Sequence, residues 1–357
     1  MPNRTPKITG AHLVGSVNLD TAETVFRAAA WSCGSVLEAM PDGETGERFH
    51  WVLFQGRVFD LTDGLERVGP TPVELAGFDV RPFEIEEGVD PAGIAFPALG
   101  YAEAAAHSWA IFKALKHESG VIPERMRFQV SLPTPVATIA TFVVPEHRAA
   151  LEEQYEAALL RELRQIAATV RHDELAIQWD MALEFALLEE VELPGRGRLR
   201  AWFDDPFEGL VARAARLGDA VPLGVRLGYH LCYGDVGEKH FVEPKDAGDL
   251  TRVANALVER VSRPVDFVHM PVPIDRGDEA YFAPLKELEL PAGTKLYLGL
   301  IHREDGVEGA IRRAKAALTA VPSFGVATEC GMGRGPREAM QPLLRLHEQV
   351  VRAAQEL

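Results

Sequence analysis

Apolar residues recur along this chain in two rhythms. Short β-branched runs stand at "AHLVGSV" (11–17), "RFQVSLP" (127–133), "LAIQWDM" (175–181), "GVRLGYHLC" (224–232), "VDFVHMPV" (265–272), "KLYLGLIH" (295–302) and "FGVATECG" (324–331). Longer stretches with helical spacing separate them. "DTAETVFRAAAW" opens on Asp20 with Glu23 three residues on, the spacing of a capping box. "EHRAALEEQYEAALLRELRQIAATVR", "DAGDLTRVANALVERV", "DGVEGAIRRAKAAL" and "EAMQPLLRLHEQVVRAAQEL" repeat the helical period further on.

Strand and helix alternating without a change of style predict a parallel α/β fold. The seven runs call for an eighth strand between residues 33 and 105, and "SVLEAMPDG" (35–43) is the best candidate. "FHWVLFQGRVF" reads either as a further strand or as part of an excursion, over about residues 45–105, above the sheet. The expected architecture is one (β/α)8 TIM barrel over residues 1–357. A doubly wound sheet would carry a glycine fingerprint after its first strand, and "GSVNLD" is not one. "CGMGRGP" comes late and runs into Pro336, which does not suit a phosphate loop.

Charge narrows the partners. A formal net charge of −16 excludes a nucleic-acid backbone and disfavours polyanionic substrates. There is no long apolar span for a membrane and no basic-then-apolar leader at "MPNRTPKITG", so a soluble, cytoplasmic protein is expected. Three cysteines in 357 residues argue against a disulfide framework and for a reducing compartment. Cys33, in "AAWSCGSVL", reads as a small buried apolar residue, whereas Cys232 and Cys330 sit in "HLCYGD" and "TECGMGR".

The polar residues fall at strand ends. Ser16 ends the first run, and Asp42 and Glu44 follow the candidate second strand. Pro133 and Thr134, Asp180, His230 with Cys232, His269, His302 and Cys330 end the others. In a barrel these ends open on the face that carries the active site. Residues two apart in a strand share a face, so His230 and Cys232 aim an imidazole and a thiol the same way. With Cys330 they form a candidate zinc set, with His269 or His302 as a possible further ligand. The competing reading of each residue is plainer: a buried thiol beside a hydrogen-bonded histidine, or a polar residue where the chain leaves the core.

"HLCYGD", "HMPVP", "GLIH" and "ATECGMGR", after "VGSV", "PDGETGER" and "IQWD", resemble the cobalamin-independent methionine synthase superfamily, here as a short, single-barrel member. That group also contains epoxyalkane:coenzyme M transferases and is distantly similar to uroporphyrinogen decarboxylases. The resemblance implies zinc held by His230, Cys232 and Cys330. It places His269 where a glutamate is expected, as a fourth ligand. It implies that His302 is the catalytic proton donor, and that Val14, Ser16, Glu44 and Asp180 hold an amino-acid substrate. "IQWDMA" lacks the Glu-Pro of the family's "IQIDEP". The implied activity is methyl transfer to a small-molecule thiol such as homocysteine, from a folate or a corrinoid. Other zinc–thiol alkyl transfer, such as epoxide opening by a coenzyme M-type thiol, is the alternative. A decarboxylase-like barrel or a degenerate metal-binding one remains as well.

Overall fold

The computed structural model describes residues 7–193, 197–235 and 237–357. Residues 1–6, part of the segment expected to lack a leader, lie outside them.

Eight parallel strands form one curled sheet. They are β1 (Ile8–Ala11), β2 (Ala39–Pro41), β3 (Arg127–Pro133), β4 (Leu175–Met181), β5 (Arg226–Leu231), β6 (Phe267–Pro271), β7 (Lys295–Ile301) and β8 (Phe324–Thr328). Their order across the sheet is β1-β8-β7-β6-β5-β4-β3-β2. Strands β3 and β4 fill their apolar runs end to end. The second strand falls inside "SVLEAMPDG".

The fold is TIM-like, but the expected closed ladder stops between β1 and β2. That seam is spanned by Ala11 N–H donating to the Val36 carbonyl at 2.9 Å and Val17 N–H donating to the Gly43 carbonyl at 3.0 Å. A single parallel bridge, Ser16 with Gly43, lies between the same segments. The first strand is also earlier than "AHLVGSV" suggests. Past Ala11 the Leu13 and Val14 carbonyls take side-chain donors from Gln129, Ser131 and Gln178 instead of a neighbouring strand. Backbone acceptors used this way cannot extend a ladder.

Helices cover the outside. The first, Ala22–Cys33, buries Val25, Phe26, Ala29 and Cys33 on one stripe. It packs on the last, Met340–Ala353, whose buried stripe includes Leu343, Leu344, His347 and Val350. Burying each large apolar side chain contributes about 1.5–3 kcal/mol. The cap of the first helix is Thr21, whose side chain accepts from Thr24 N–H at 3.2 Å, and not Asp20. Asp20 instead pairs with Arg337.

Between β2 and the helix Tyr101–Lys113 the chain makes an excursion. "FHWVLFQGRVF" is helical there: short turns at Gly46–His50 and Leu53–Gln55 run into a helix at Gly56–Asp60. Two small antiparallel pairs follow, Leu65–Arg67 with Phe83–Ile85 and Glu74–Leu75 with Phe78–Asp79. Phe59 anchors the segment against Phe83, Phe96, Phe142 and Tyr155. Among the described residues, no helix is long and apolar enough to cross a membrane.

Candidate active site

Register assembles the site. Pro133 on β3, Asp180 on β4, His230 on β5, His269 on β6 and Tyr297 on β7 lie level across five neighbouring strands. His230 is therefore flanked by Asp180 and His269. Cys232 follows β5 by one residue, and Cys330 follows β8 by two.

The ligand atoms of His230, Cys232 and Cys330 lie within 4.8 Å of one another. Cys232 Sγ is 3.6 Å from Cys330 Sγ, which is 3.7 Å from His230 Nε2. Both thiols are free. Tetrahedral bonds from zinc at about 2.3 Å to sulfur and about 2.0–2.1 Å to nitrogen set ligand atoms about 3.8 Å (S to S) and about 3.6 Å (S to N) apart. The donor set and its spacing fit zinc.

His269 fixes which His230 nitrogen is available. The Thr328 carbonyl can only accept, so the His269 Nε2 at 3.0 Å donates to it. Burial, with His230 and His12 next, holds His269 well below the ordinary imidazole pKa, so its Nδ1 carries a lone pair. His230 Nδ1–H donates to that lone pair at 2.7 Å. The Nε2 of His230 is thereby left toward the cysteines. Both ring nitrogens of His269 are occupied, and it lies outside the His230–Cys232–Cys330 group.

The two thiols differ. A hydrogen bond from Cys330 holds Cys232 well below the usual thiol range, while the same contact and burial push Cys330 up. Gly234 N–H donates to Cys232 Sγ at 3.2 Å and supports the charge. Burial works against an imidazolium at His230, but Cys232 and Asp180 outweigh it and raise its pKa.

Beside this group stand the residues expected to bind substrate. Burial raises Asp180 to about 7, with His230 the largest opposing influence. Glu44 is pushed up to about 8 by burial and then by Asp180, so the two carboxyl groups sense each other. Glu44 has a positive φ of 52°, and its Oε1 would sit 2.4 Å from a Cβ placed on Gly15, a position where a side chain would displace it. The Ser16 hydroxyl accepts from Gly333 N–H at 3.2 Å, and the Ser16 carbonyl accepts from Met332 N–H at 2.7 Å. Val14 contributes its carbonyl to the network beneath Asp180. Gln178 Nε2 donates to Val14 O at 2.6 Å and to Asp180 Oδ1 at 2.8 Å, and Gln178 Oε1 accepts from His12 Nε2 at 2.7 Å.

His302 donates from Nε2 to the Val272 carbonyl at 2.8 Å. Its Nδ1 faces Glu329 Oε2 at 3.9 Å. Burial, then Arg313, lowers its pKa to about 4. Two strand-end residues serve the scaffold. Asp42 is held by Arg48 and Ser108, each at 2.7 Å, and Thr134 bonds Glu184.

Sequence reasoning missed Gln178 and Glu329. Gln178 was visible as a polar residue two before Asp180, hence on the same strand face. Glu329 adjoins Cys330.

No protein-family model matches the sequence, and no curated protein matches it. Solved structures do share the fold. A B12-independent methionine synthase from Shewanella sp. W3-18-1, in complex with selenomethionine, superposes with a TM-score of 0.60 at 15% identity, over 98% of each chain. A Listeria monocytogenes protein assigned as a vitamin-B12-independent methionine synthase gives 0.58 at 16% identity, over 98% of this chain and 99% of that one. A methyltransferase from Methanosarcina mazei gives 0.50 at 14% identity, over 98% and 94%.

Proposed function

We propose that this protein is a zinc-dependent methyl or alkyl transferase whose acceptor is a small thiol of the homocysteine kind. The observation that carries the proposal is the convergence of His230 Nε2, Cys232 Sγ and Cys330 Sγ, at zinc-ligand spacing, from the ends of two non-adjacent strands. The shared fold supports it, since one of the structures above is that of a methionine synthase, one that of a protein assigned as such and one that of a methyltransferase. The product-like selenomethionine in one of them suits an amino-acid thiol acceptor here.

Bound zinc would hold the acceptor sulfur as its thiolate, the nucleophilic form, whereas a free thiol with a pKa near about 8.5 is mostly protonated at neutral pH. His230, Cys232 and Cys330 would supply three ligands and leave a fourth position for that sulfur. His269 orients His230 from behind, a role that replaces its expected place as a fourth ligand. Asp180 and Glu44, both raised in pKa, release protons when an ammonium group arrives between them, so the acceptor's amine ionises them. The amine then fixes the direction in which the sulfur meets the donor carbon, where misplacement costs rate. His302 Nδ1 is bare in the neutral ring, so the proton for the donor's leaving group comes from the Glu329 carboxyl that faces it at 3.9 Å, a group that burial holds well above the ordinary carboxylate pKa. The methyl donor is a folate or a corrinoid, and the net charge of −16 disfavours a polyglutamated folate.

The experiment is product analysis with zinc-loaded protein. Methylcorrinoid or methyltetrahydrofolate is offered with L-homocysteine or with 2-mercaptoethanesulfonate. Methionine formation that disappears in Cys330→Ser is expected. Transfer to neither thiol from either donor, by a protein carrying stoichiometric zinc, would overturn the proposal.

A further inference from the structure

Inside the curled sheet, directly beneath the site, the core is polar where a TIM-like interior normally packs branched apolar side chains. His12, Gln129 and Gln178 lie there, with exposures of 4%, 1% and 0%. Gln129 Oε1 is buried with no hydrogen-bond partner among the described residues. Burying such groups costs stability unless each is paired, and proteins keep such costs chiefly where a site needs them.

The hydrogen bonds of this layer are determined one after another. The Val14 carbonyl can only accept, so the Gln178 atom 2.6 Å from it is the amide nitrogen. The same nitrogen donates to Asp180 Oδ1 at 2.8 Å, with Ser131 Oγ further off at 3.3 Å. Gln178 Oε1 then faces His12 Nε2 at 2.7 Å. That oxygen can only accept, so His12 carries its proton on Nε2 and donates. Burial lowers the His12 pKa to about 4, which keeps the ring neutral and in that tautomer. The ring itself is clamped, stacked on Tyr297 at 4.9 Å and tilted against Phe267 at 4.9 Å. A fixed imidazole thus anchors the amide, and the amide holds one oxygen of the carboxyl that lies level with His230 in the sheet.

We propose that Gln178, anchored by His12, is a specificity-determining positioning residue, which braces Asp180 from below so that the site selects thiols bearing an ammonium group. The inference rests on the thiol-acceptor reading above and adds the basis of its selectivity. His12 acts only through Gln178, and Gln178 only through Asp180.

The test measures binding to the zinc-loaded protein, by calorimetry, of L-homocysteine and of 4-mercaptobutyrate, which lacks the amine. The native protein should favour homocysteine by about tenfold or more, the scale of one charge-assisted contact. Gln178→Leu keeps the bulk and removes the amide, and His12→Phe keeps a ring and removes the donor. Each should keep stoichiometric zinc and bind 4-mercaptobutyrate as the native protein does, yet lose most of the preference. His12→Gln returns an N–H near the Nε2 position and should restore it. The His12 pair carries the test by itself should Gln178→Leu fail to fold. Native protein that binds neither thiol would refute the acceptor reading itself. Native protein that binds both thiols equally would leave that reading standing and overturn this one. Discrimination that is unchanged in Gln178→Leu and His12→Phe, or a weakening of both thiols alike, would also overturn it, since the layer would then be structural.

Discussion

His269 is the residue at which the site departs most from what the family resemblance implies. As a ligand it would have to turn a nitrogen toward Cys232 and Cys330, and both nitrogens are already engaged, with His230 at 2.7 Å and Thr328 O at 3.0 Å. An outer partner of this kind sets the tautomer and orientation of the histidine in front of it, and its loss commonly costs 10–100-fold in metal affinity. Replacing His269 with Phe should therefore weaken zinc by roughly that factor, with the same nitrogen and sulfur ligands around the metal. A competition titration with a chromogenic chelator reads the affinity. Loss of a nitrogen from the zinc shell would instead make His269 a ligand. His302 is distinct from both, since its Nδ1 is directed at Glu329 and not at the cysteines.

At the scale of elements, the turn after β8 holds Cys330 in place. The Ser16 hydroxyl nests between Gly331 and Gly333, and a Cβ on Gly331 would come 2.2 Å from it. Gly331→Ala should push this turn away from the first strand and carry Cys330 with it. The expected result is at least a tenfold loss of zinc affinity with little change in secondary structure, read by chelator competition and circular dichroism. Unchanged zinc affinity would mean that the turn yields without moving the ligand. The elements themselves were largely legible. β3 and β4 match their apolar runs because nearly every residue in them is buried, with polar groups only at alternate positions, Gln129 and Ser131 in one and Gln178 and Asp180 in the other, after Arg127 at the edge. The polar residues at strand ends could be read for the same reason: each interrupts such a run. What pattern could not give was the partner of each group. His269 sits behind His230 because β5 and β6 pair in register, and register is a property of the assembled sheet. The first strand was misplaced because Leu13 and Val14 are apolar but give their carbonyls to side chains.

At the scale of the whole molecule, buried neutral histidines should govern acid stability. His347 lies in the last helix with no exposure, and its Nδ1–H donates to the Leu343 carbonyl at 2.9 Å. Burial lowers its pKa to about 4. The unfolded chain protonates this histidine near its ordinary pKa of about 6.5, before the folded protein does. Between those values the unfolded state binds more protons, so stability falls as pH falls, by on the order of 2 kcal/mol at pH 5 from this group alone. Buried carboxyls held protonated, such as Glu184 at about 7, act in the opposite sense, so the contribution of His347 is best isolated by difference. His347→Leu, compared with the native chain by urea unfolding, should gain stability at pH 5 relative to pH 7. An equal difference at both pH values would remove His347 from the account.

The whole assembly stands or falls on the metal. The most direct measurement is zinc X-ray absorption on the purified chain, with and without L-homocysteine. The account predicts one zinc per chain, two sulfur neighbours at about 2.3 Å and nitrogen at about 2.0–2.1 Å. A third sulfur should enter the shell when the thiol is added. Protein that carries no stoichiometric zinc, or a shell whose sulfur count stays at two in saturating thiol, would contradict it.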